Sequence, residues 1–432
     1  MSQPSEKRAK RDKVVLAYSG GLDTSTILVW LIDQGYDVIA YTADVGQDDD
    51  FESIREKAMK CGALKYVCKD LRKDFVVDNI WPGVQANALY EDRYLLGTSL
   101  ARPTITKGMI EVVKEEGAQY IAHGATGKGN DQIRMELHAM ALHPDIKILA
   151  PWKMPEFYNR FEGRTALMEY AKSKNIELPT ARQNPYSMDA NLMHVSYESG
   201  ILEDPAVPAP EDVYGMIVNP KNAPDQGEDL EIEFERGVPV KVTNKGDGTV
   251  KTDPLDIYMY LNTIGGKHGI GRIDIVENRY IGMKSRGIYE CPAGTILLHA
   301  HLDIENFTLD KNVRRVKQEL SLRFSEQVYE GYWYSPECDF VRHCIDKSQE
   351  SVEGTVTLEC YKGQVYIRSR SSKTSLYNES LVSMVVKGDF EPTDALGFIK
   401  VTGVRIKEYY RQRGVDSITH PSDALKKGSG DK

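Results

Sequence analysis

The chain has 432 residues, 41% of them hydrophobic and 28% charged, and a formal net charge of -9. A length beyond one ordinary core predicts two domains and an appendage. The acidic balance argues against a general nucleic-acid binder while leaving room for a local basic pocket. The six cysteines show no C-x-x-C pair and no zinc-finger spacing, so reduced thiols in a cytoplasmic protein are expected rather than a disulfide framework or a metal site.

Lys7, Arg8, Lys10 and Arg11 make residues 1–12 a basic arm, expected to be solvated and flexible. Lys13–Tyr18 (KVVLAY) is a short apolar run, the pattern of a buried parallel strand. A Gly-rich turn follows, then a helix over Thr24–Gln34 that closes at Gly35. The apolar stretch from Val14 to Ile32 is cut by Ser-Gly-Gly-Leu-Asp-Thr-Ser-Thr, so no membrane span is expected there. Asp37–Val45, Lys65–Lys69, Gln119–His123 and Ile146–Ala150 read as further strands, separated by helical Phe51–Gly62 and Lys107–Gly117. Strands alternating with helices predict an α/β, doubly wound parallel sheet that ends near a helix at Arg164–Lys174.

The composition then changes. A loop rich in Pro, Asn and Ser runs through Leu178–Asn191 and again through Asp204–Asp212. Leu230–Val242 alternates apolar and polar around Arg236-Gly237, which predicts a hairpin. Helical patterns at Asp256–Gly265 and Gly294–Lys317 and strand-like Gly354–Arg368 complete a second, α+β domain. Asp394–Gln412 reads as a helix that packs on another subunit or caps its own domain. The expected division is 13–175, 176–385 and a C-terminal helix and tail at 386–432.

Ser19-Gly20-Gly21-Leu22-Asp23-Thr24-Ser25 lies between the first strand and the first helix. Gly20 and Gly21 permit close backbone approach, so several N–H groups can point at one anion. Thr24 and Ser25 add hydroxyl donors, and the helix start adds its positive dipole end. Asp23 would repel a bare phosphate, so it is expected either to hold Mg2+ carried on phosphates or to cap the helix. The Walker lysine, the G-x-G-x-x-G pattern and the G-x-S-x-G elbow are all absent from this loop. A plain Gly-rich turn with a Ser or Thr cap is the alternative reading.

S-G-G-x-D-T after the first strand resembles the pyrophosphate loop of the ATP pyrophosphatase superfamily, whose members cleave ATP between the α and β phosphates. Further blocks narrow the likeness: Y-E-D-R-Y-L-L-G-T-S-L-A-R at Tyr90–Arg102, A-H-G-A-T-G-K-G-N-D at Ala122–Asp131, and E-F-Y-N-R-F-E-G-R at Glu156–Arg164. N-L-M-H-V-S-Y-E-S-G at Asn191–Gly200 and the run Gly271–Glu290 extend it. In this order the blocks are similar to the argininosuccinate synthase family from Val14 to about Tyr410. That resemblance implies an ATP-dependent ligase that adenylates citrulline and joins it to aspartate, releasing AMP and pyrophosphate, in arginine biosynthesis and the urea cycle. It also implies Mg2+ with the ATP and a homotetramer.

Residue by residue, the resemblance gives ATP to Ala17, Tyr18, Ser19, Gly20, Gly21, Leu22, Asp23, Thr24, Ser25, Ala43 and Gly124. It gives citrulline to Tyr94, Ser99, Asn130, Arg134, Ser187, Ser196, Glu277 and Tyr289, and aspartate to Thr126, Asn130 and Asp131. The residue types suit these ligands. Arg134 can pair with an α-carboxylate, Glu277 with an α-ammonium, and Asp131 with the ammonium of the second amino acid. Lys128 adds a cation to the Gly-rich block. No nucleophile or general base stands out; His123 is the one acid/base candidate, and a satisfied structural histidine is its simpler reading. Other ligases of the superfamily fit less well, because no glutaminase domain and no paired catalytic cysteines are visible. An inactive nucleotide-binding protein on the same scaffold remains the alternative of a different class.

Overall fold

A computed structural model of the chain describes residues 11–127, 129–174, 176, 186–385, 388 and 390–415. Most of the basic arm, Lys128 and the tail beyond residue 415 therefore lie outside the described residues. The chain falls into two units, one ending at Leu376 and the other beginning at Tyr377.

The first unit starts with a parallel sheet of β1 (Lys13–Ala17), β2 (Asp37–Asp44), β3 (Lys65–Asp70), β4 (Tyr120–Ala122) and β5 (Lys147–Leu149), in the order β3-β2-β1-β4-β5. The sequence pattern of β1 explains its central place. Val14 and Leu16 pack into one apolar cluster with Ile27, Leu28 and Trp30 of α1 (Leu22–Asp33). Val15 packs into the other with Met109 and Ile110 of α5 (Gly97–Glu116). Both faces are covered, so every position after Lys13 is apolar. The remaining helices of this half are α2 (Phe51–Lys60), α3 (Arg72–Phe75), α4 (Trp81–Ala86), α6 (Asp131–Leu142), α7 (Pro155–Tyr158) and α8 (Arg164–Ser173); a π-turn at Val76–Ile80 joins α3 to α4.

Strand order reverses between β1 and β4, because the chain runs outward through β2 and β3 and then returns to the opposite side of β1. Crevices at such a switch point are where open α/β sheets bind ligands. The turn after β1 and the turn after β4, Ser19–Gly21 and Gly124–Asn130, both open there.

A four-stranded antiparallel sheet follows, β6 (Ser187–Ala190), β7 (Val195–Glu198), β11 (Arg272–Asn278) and β12 (Lys284–Glu290), ordered β11-β12-β7-β6. Its register aligns Asp189 with Ser196 and Ser196 with Tyr289, so three polar side chains share one row across the sheet. A five-stranded sheet holds β8 (Glu228–Glu235), β9 (Val238–Asn244), β10 (Val250–Lys251), β13 (Gly354–Tyr361) and β14 (Gln364–Ser371). The β8–β9 hairpin turns at Arg236-Gly237 as its alternation predicts, with Gly237 at φ +71°. Helices α9 (Pro254–Lys267), α10 (Pro292–Thr308), α11 (Lys311–Glu330) and α12 (Pro336–Ser348) complete the unit. The second unit contains α13 (Glu379–Val382) and α14 (Pro392–Arg413).

Several expectations are corrected. The pattern Gly294–Lys317 is two helices, because Asp310 caps α11 by accepting from Asn312 N and Val313 N at 2.8 and 3.1 Å. The helix expected at Lys107–Gly117 begins ten residues earlier, at Gly97, and runs through Pro103, a residue normally read as a breaker. Strand-like Gly354–Arg368 is a hairpin, β13 and β14. The loop expected through Leu178–Asn191 ends in strand β6; residues 177–185 lie outside the described residues. The first helix starts at Leu22 rather than Thr24.

Among the almost fully buried imidazoles are His138 and His194. Burial pushes them down from 6.5 to about 3 and about 4, with the Arg134 charge adding to the effect at His138. Both are neutral in the folded chain and protonate when it unfolds. Their contribution is complete above about pH 6.5 and is lost as pH falls toward 4, at about 1.4 kcal/mol per pH unit for each. Urea unfolding between pH 7.5 and 5 should show this decline. His138→Leu should flatten it by about one proton, whereas an unchanged slope would mean His138 titrates normally in the fold.

Candidate functional site

The turn after β1 is shaped by Gly20, at φ +72°, where a Cβ would stand 3.0 Å from Cγ1 of Ile54. Lys57 Nζ donates to the Gly20 carbonyl at 2.6 Å and fixes the turn against α2. Ser19 Oγ and Thr24 Oγ1 lie 3.2 Å apart and brace the loop across its mouth. Gly21 is the N-cap of α1 and supplies no side-chain cap, so the first-turn N–H groups face outward as a ready anion site.

Ser19, Gly21, Leu22, Asp23 and Thr24 form one wall of a cavity of about 520 Å³. Gly124, Asn130 and Asp131 extend that wall from the turn after β4. The facing wall comes from α5, α6, α11 and the four-stranded sheet, and includes Tyr94, Arg134, Ser187, Ser196, Glu277, Tyr289 and Tyr329. A second cavity of about 930 Å³ adjoins it, lined by Ala17, Tyr18, Ala43, Gly46 and Met216 among others. The two share Ser19, Arg102, Met188, Asp189 and Tyr197.

Most residues singled out from the sequence thus converge on these two cavities. Four of the ligand-binding candidates do not line either. Gly20 supports the loop from behind. Ser25 is fully buried and pairs with Tyr18 OH at 3.0 Å, so its hydroxyl cannot face an anion as expected; helical rotation carries the residue after Thr24 into the core. Ser99 is fully buried with no hydrogen-bond partner for its Oγ. Thr126 is exposed on its loop. His123 has a structural environment instead of a cavity position: Nε2 lies 3.0 Å from Glu136 Oε1, and Nδ1 accepts from Ala125 N at 3.3 Å.

The charged groups form one connected set. Arg102 Nη2 donates to Asp131 Oδ2 at 2.8 Å and to Asp189 Oδ2 at 2.5 Å. Arg134 Nη1 donates to the other Asp131 oxygen at 3.0 Å, while its Nε donates to the Tyr329 carbonyl at 2.8 Å. The Nε side of Arg134 is therefore closed, and an incoming carboxylate meets the Nη1/Nη2 end. Burial alone would push the Asp131 carboxyl up, but Arg102 and Arg134 outweigh it and hold the group well below its ordinary value. Asp131 is thus an ionised carboxylate with an arginine on each oxygen.

Glu277 is the opposite case. Burial raises it, with partial relief from the Tyr329 and Tyr289 hydroxyls that donate to its two oxygens at 3.0 and 3.1 Å. A cation placed beside it would restore the ionised form. Tyr94 stacks on Tyr289 at 4.3 Å between ring centres, and His194 stacks behind Tyr289 at 5.6 Å. His194 Nε2 lies 2.9 Å from Thr98 Oγ1, which in turn reaches Asp189 at 3.4 Å.

Arg102, Thr98, Asp189, Tyr197, Arg279 and Tyr329 escaped the sequence reading. Arg102 and Thr98 lie inside a block already quoted, Tyr90–Arg102, and the polar i, i+4 spacing of 98 and 102 on a buried helix was the available signal.

Residues 13–177 match the model of the arginosuccinate synthase N-terminal HUP domain, and residues 186–409 match that of the C-terminal domain. Argininosuccinate synthase of Danio rerio is 62% identical over 94% of this chain and 98% of its own. The enzymes of Rattus norvegicus and Homo sapiens are 63% and 62% identical over 93% of this chain and 98% of theirs.

Gly97 is where a methyl group would be felt most: a Cβ there would stand 2.4 Å from Cγ of His194. Gly97→Ala should destabilise the chain by about 1–3 kcal/mol through overpacking. It should also lower activity, because the displaced ring backs Tyr289. Urea unfolding and a turnover assay check both, and wild-type values in each would show that the ring has room to move.

Proposed function

The chain belongs to the argininosuccinate synthase family, an ATP-dependent ligase joining citrulline to aspartate in arginine biosynthesis, and from that premise we propose how its two cavities divide the substrates. The observation that carries the reading is their shared wall. A phosphate-binding helix start lies on one side of it and a Glu–Tyr–Tyr cluster with an arginine on the other.

ATP lies with its adenosine against Ala17 and Ala43 in the second cavity and its outer phosphates on Ser19–Thr24, with Gly124 alongside. The small side chains leave room for the nucleoside, and the α1 N-terminus supplies N–H donors and a positive dipole. Mg2+ travels with the ATP. One hard oxygen donor, Asp23, suits an ion that keeps its waters and phosphate ligands, and the ion would neutralise phosphate charge there.

Citrulline places its α-ammonium by Glu277 and its α-carboxylate by the Nη1/Nη2 end of Arg134. Tyr94, Asn130, Ser187, Ser196 and Tyr289 line the neutral remainder. A cationic side chain in place of the ureido group would leave these polar groups mismatched. The aspartate substrate binds beside Asn130, Asp131 and Thr126, with the Asp131 carboxylate already neutralised by arginines. The ureido oxygen attacks the α-phosphorus, and the aspartate amine then displaces AMP. Positioning and charge stabilisation carry the reaction, since no general base is evident on either wall among the described residues. The functional division is 13–175 for ATP, 176–385 for the synthetase half and 386–432 for the C-terminal helix and tail, in a cytoplasmic protein.

Pyrophosphate release measured with each substrate omitted tests the reading. It should require citrulline and, in a single turnover, proceed without aspartate; release independent of citrulline would sink it. Within the loop, Thr24→Val should lower kcat/KM for ATP at least tenfold. Ser25→Ala should keep turnover and cost only about 1 kcal/mol of stability, the value of a buried hydrogen bond.

We also propose a homotetramer held in part by α14. That helix exposes Leu396, Phe398, Ile399 and Val401, more apolar surface than a solvated helix normally shows. Removing residues 392–432 should convert the tetramer to a smaller species by light scattering, and an unchanged mass would exclude this role.

A further inference from the structure

Arg102 and Asp189 stand at the junction of the two cavities with Asp131 beside them in the first, and among the described residues Arg102 is the one cationic side chain that lines both. Arg134 and Arg279 line only the first. A nucleotide with its adenosine at Ala17 and Ala43 and its outer phosphates on the Ser19–Thr24 loop must carry its α-phosphate past this junction, because the α-phosphate is the link between those two parts. We infer that Arg102 is a catalytic residue whose guanidinium donates hydrogen bonds to the α-phosphate oxygens during adenylation. The inference rests on the ATP placement proposed above.

The chemistry asks for a cation at that point. The ureido oxygen forms a bond to the α-phosphorus while the bond to the α,β-bridging oxygen breaks, and that electron pair departs on pyrophosphate. Negative charge on the α-phosphate oxygens and the bridging oxygen is greatest between these events, and a fixed donor placed there lowers the barrier. A guanidinium presents five donors in a planar fork. Arg102 spends two contacts of one nitrogen on the carboxylates, and its Nε is buried with no acceptor, so the fork is not saturated. Without Arg102, Asp189 and Asp131 would present two like charges to the arriving phosphate. The same side chain thus makes the junction passable for an anion and supplies the donor the reaction needs.

The test is citrulline-dependent exchange of labelled pyrophosphate into ATP with aspartate absent. The wild type must exchange; if it does not, the ATP placement itself fails, independently of Arg102. In Arg102→Met, kcat for exchange should fall by about 10²–10³-fold, the loss typical of one removed transition-state donor. KM for ATP should rise because the uncovered carboxylates repel the phosphates, while KM for citrulline should stay within about fivefold, a split that a merely structural role would not produce. Arg102→Lys, which keeps the charge without the fork, should retain more turnover than Arg102→Gln, which keeps amide donors without the charge. A kcat within tenfold of wild type in Arg102→Met, or a loss confined to KM, would overturn the inference. If Arg102→Met does not fold by circular dichroism, Arg102→Gln is read against the same thresholds.

Discussion

One nitrogen of Arg102 holds two carboxylates from different parts of the chain, Asp131 at the start of α6 and Asp189 on β6. Helices α5 and α6 and the antiparallel sheet are tied at this point by charge, beside the apolar cluster that the two sheets share. Burying ionised groups is costly unless each is paired and hydrogen-bonded, and here every carboxylate oxygen of Asp131 has its own arginine. The arrangement helps to fix the cavity wall built on α6 relative to the one built on β6. It also keeps the cavity from being uniformly acidic in a chain whose overall balance is acidic.

The rest of the site follows from two pieces of backbone geometry. The switch point between β1 and β4 sends two Gly-containing turns to the same crevice, so the Ser19–Gly21 turn and Gly124 become neighbours though they are about a hundred residues apart. The register of β6, β7 and β12 then lines up Asp189, Ser196 and Tyr289 in one row. A slip of one residue in any of these pairs would turn the row to the opposite face. Distances within the site therefore depend on ladder hydrogen bonds as much as on the side chains themselves.

The parallel sheet was readable because its strands are short apolar runs and its helices end at glycines; KVVLA and DVIAYTAD leave little choice of environment. The loop residues Ser19, Asp23 and Thr24 were readable because a strand, two glycines and a helix start have a local meaning. Ser25 was misjudged for the reason Thr24 was not: adjacent residues on a helix point to different sides, and the side is decided by tertiary packing against Tyr18. Asp189 carried no local signal and Arg102 only its four-residue spacing from Thr98, since a lone Arg on a helix and a lone Asp after a polar loop describe most protein surfaces. Their meaning is a distance between them, which spacing along a chain does not encode. The long α5 shows the same limit from the other direction, because burial on both sides carried a helix through Pro103 where local propensity said stop.

Local strain around Tyr94 shows how the chain aims these side chains. Glu91, Asp92 and Leu96 all have positive φ, at 48°, 63° and 65°, although none is glycine. Such conformations cost about 1 kcal/mol or more each and persist only where the surroundings over-determine them. Here they do: Tyr90 and Tyr94 bridge each other, Tyr90 stacks on Tyr329 at 3.6 Å between ring centres, and Leu96 is fully buried. The strained turn starts α5 at the angle that brings Thr98 to His194 and, one helical turn later, Arg102 to both carboxylates. Gly97 is the residue that makes the angle tolerable, because only a missing Cβ admits the His194 ring that backs Tyr94 and Tyr289. Relaxing the turn would save the strain and lose the register between the aromatic wall and the arginine. The strained turn therefore belongs to the same design as the charged junction, one setting where α5 begins and the other what it holds.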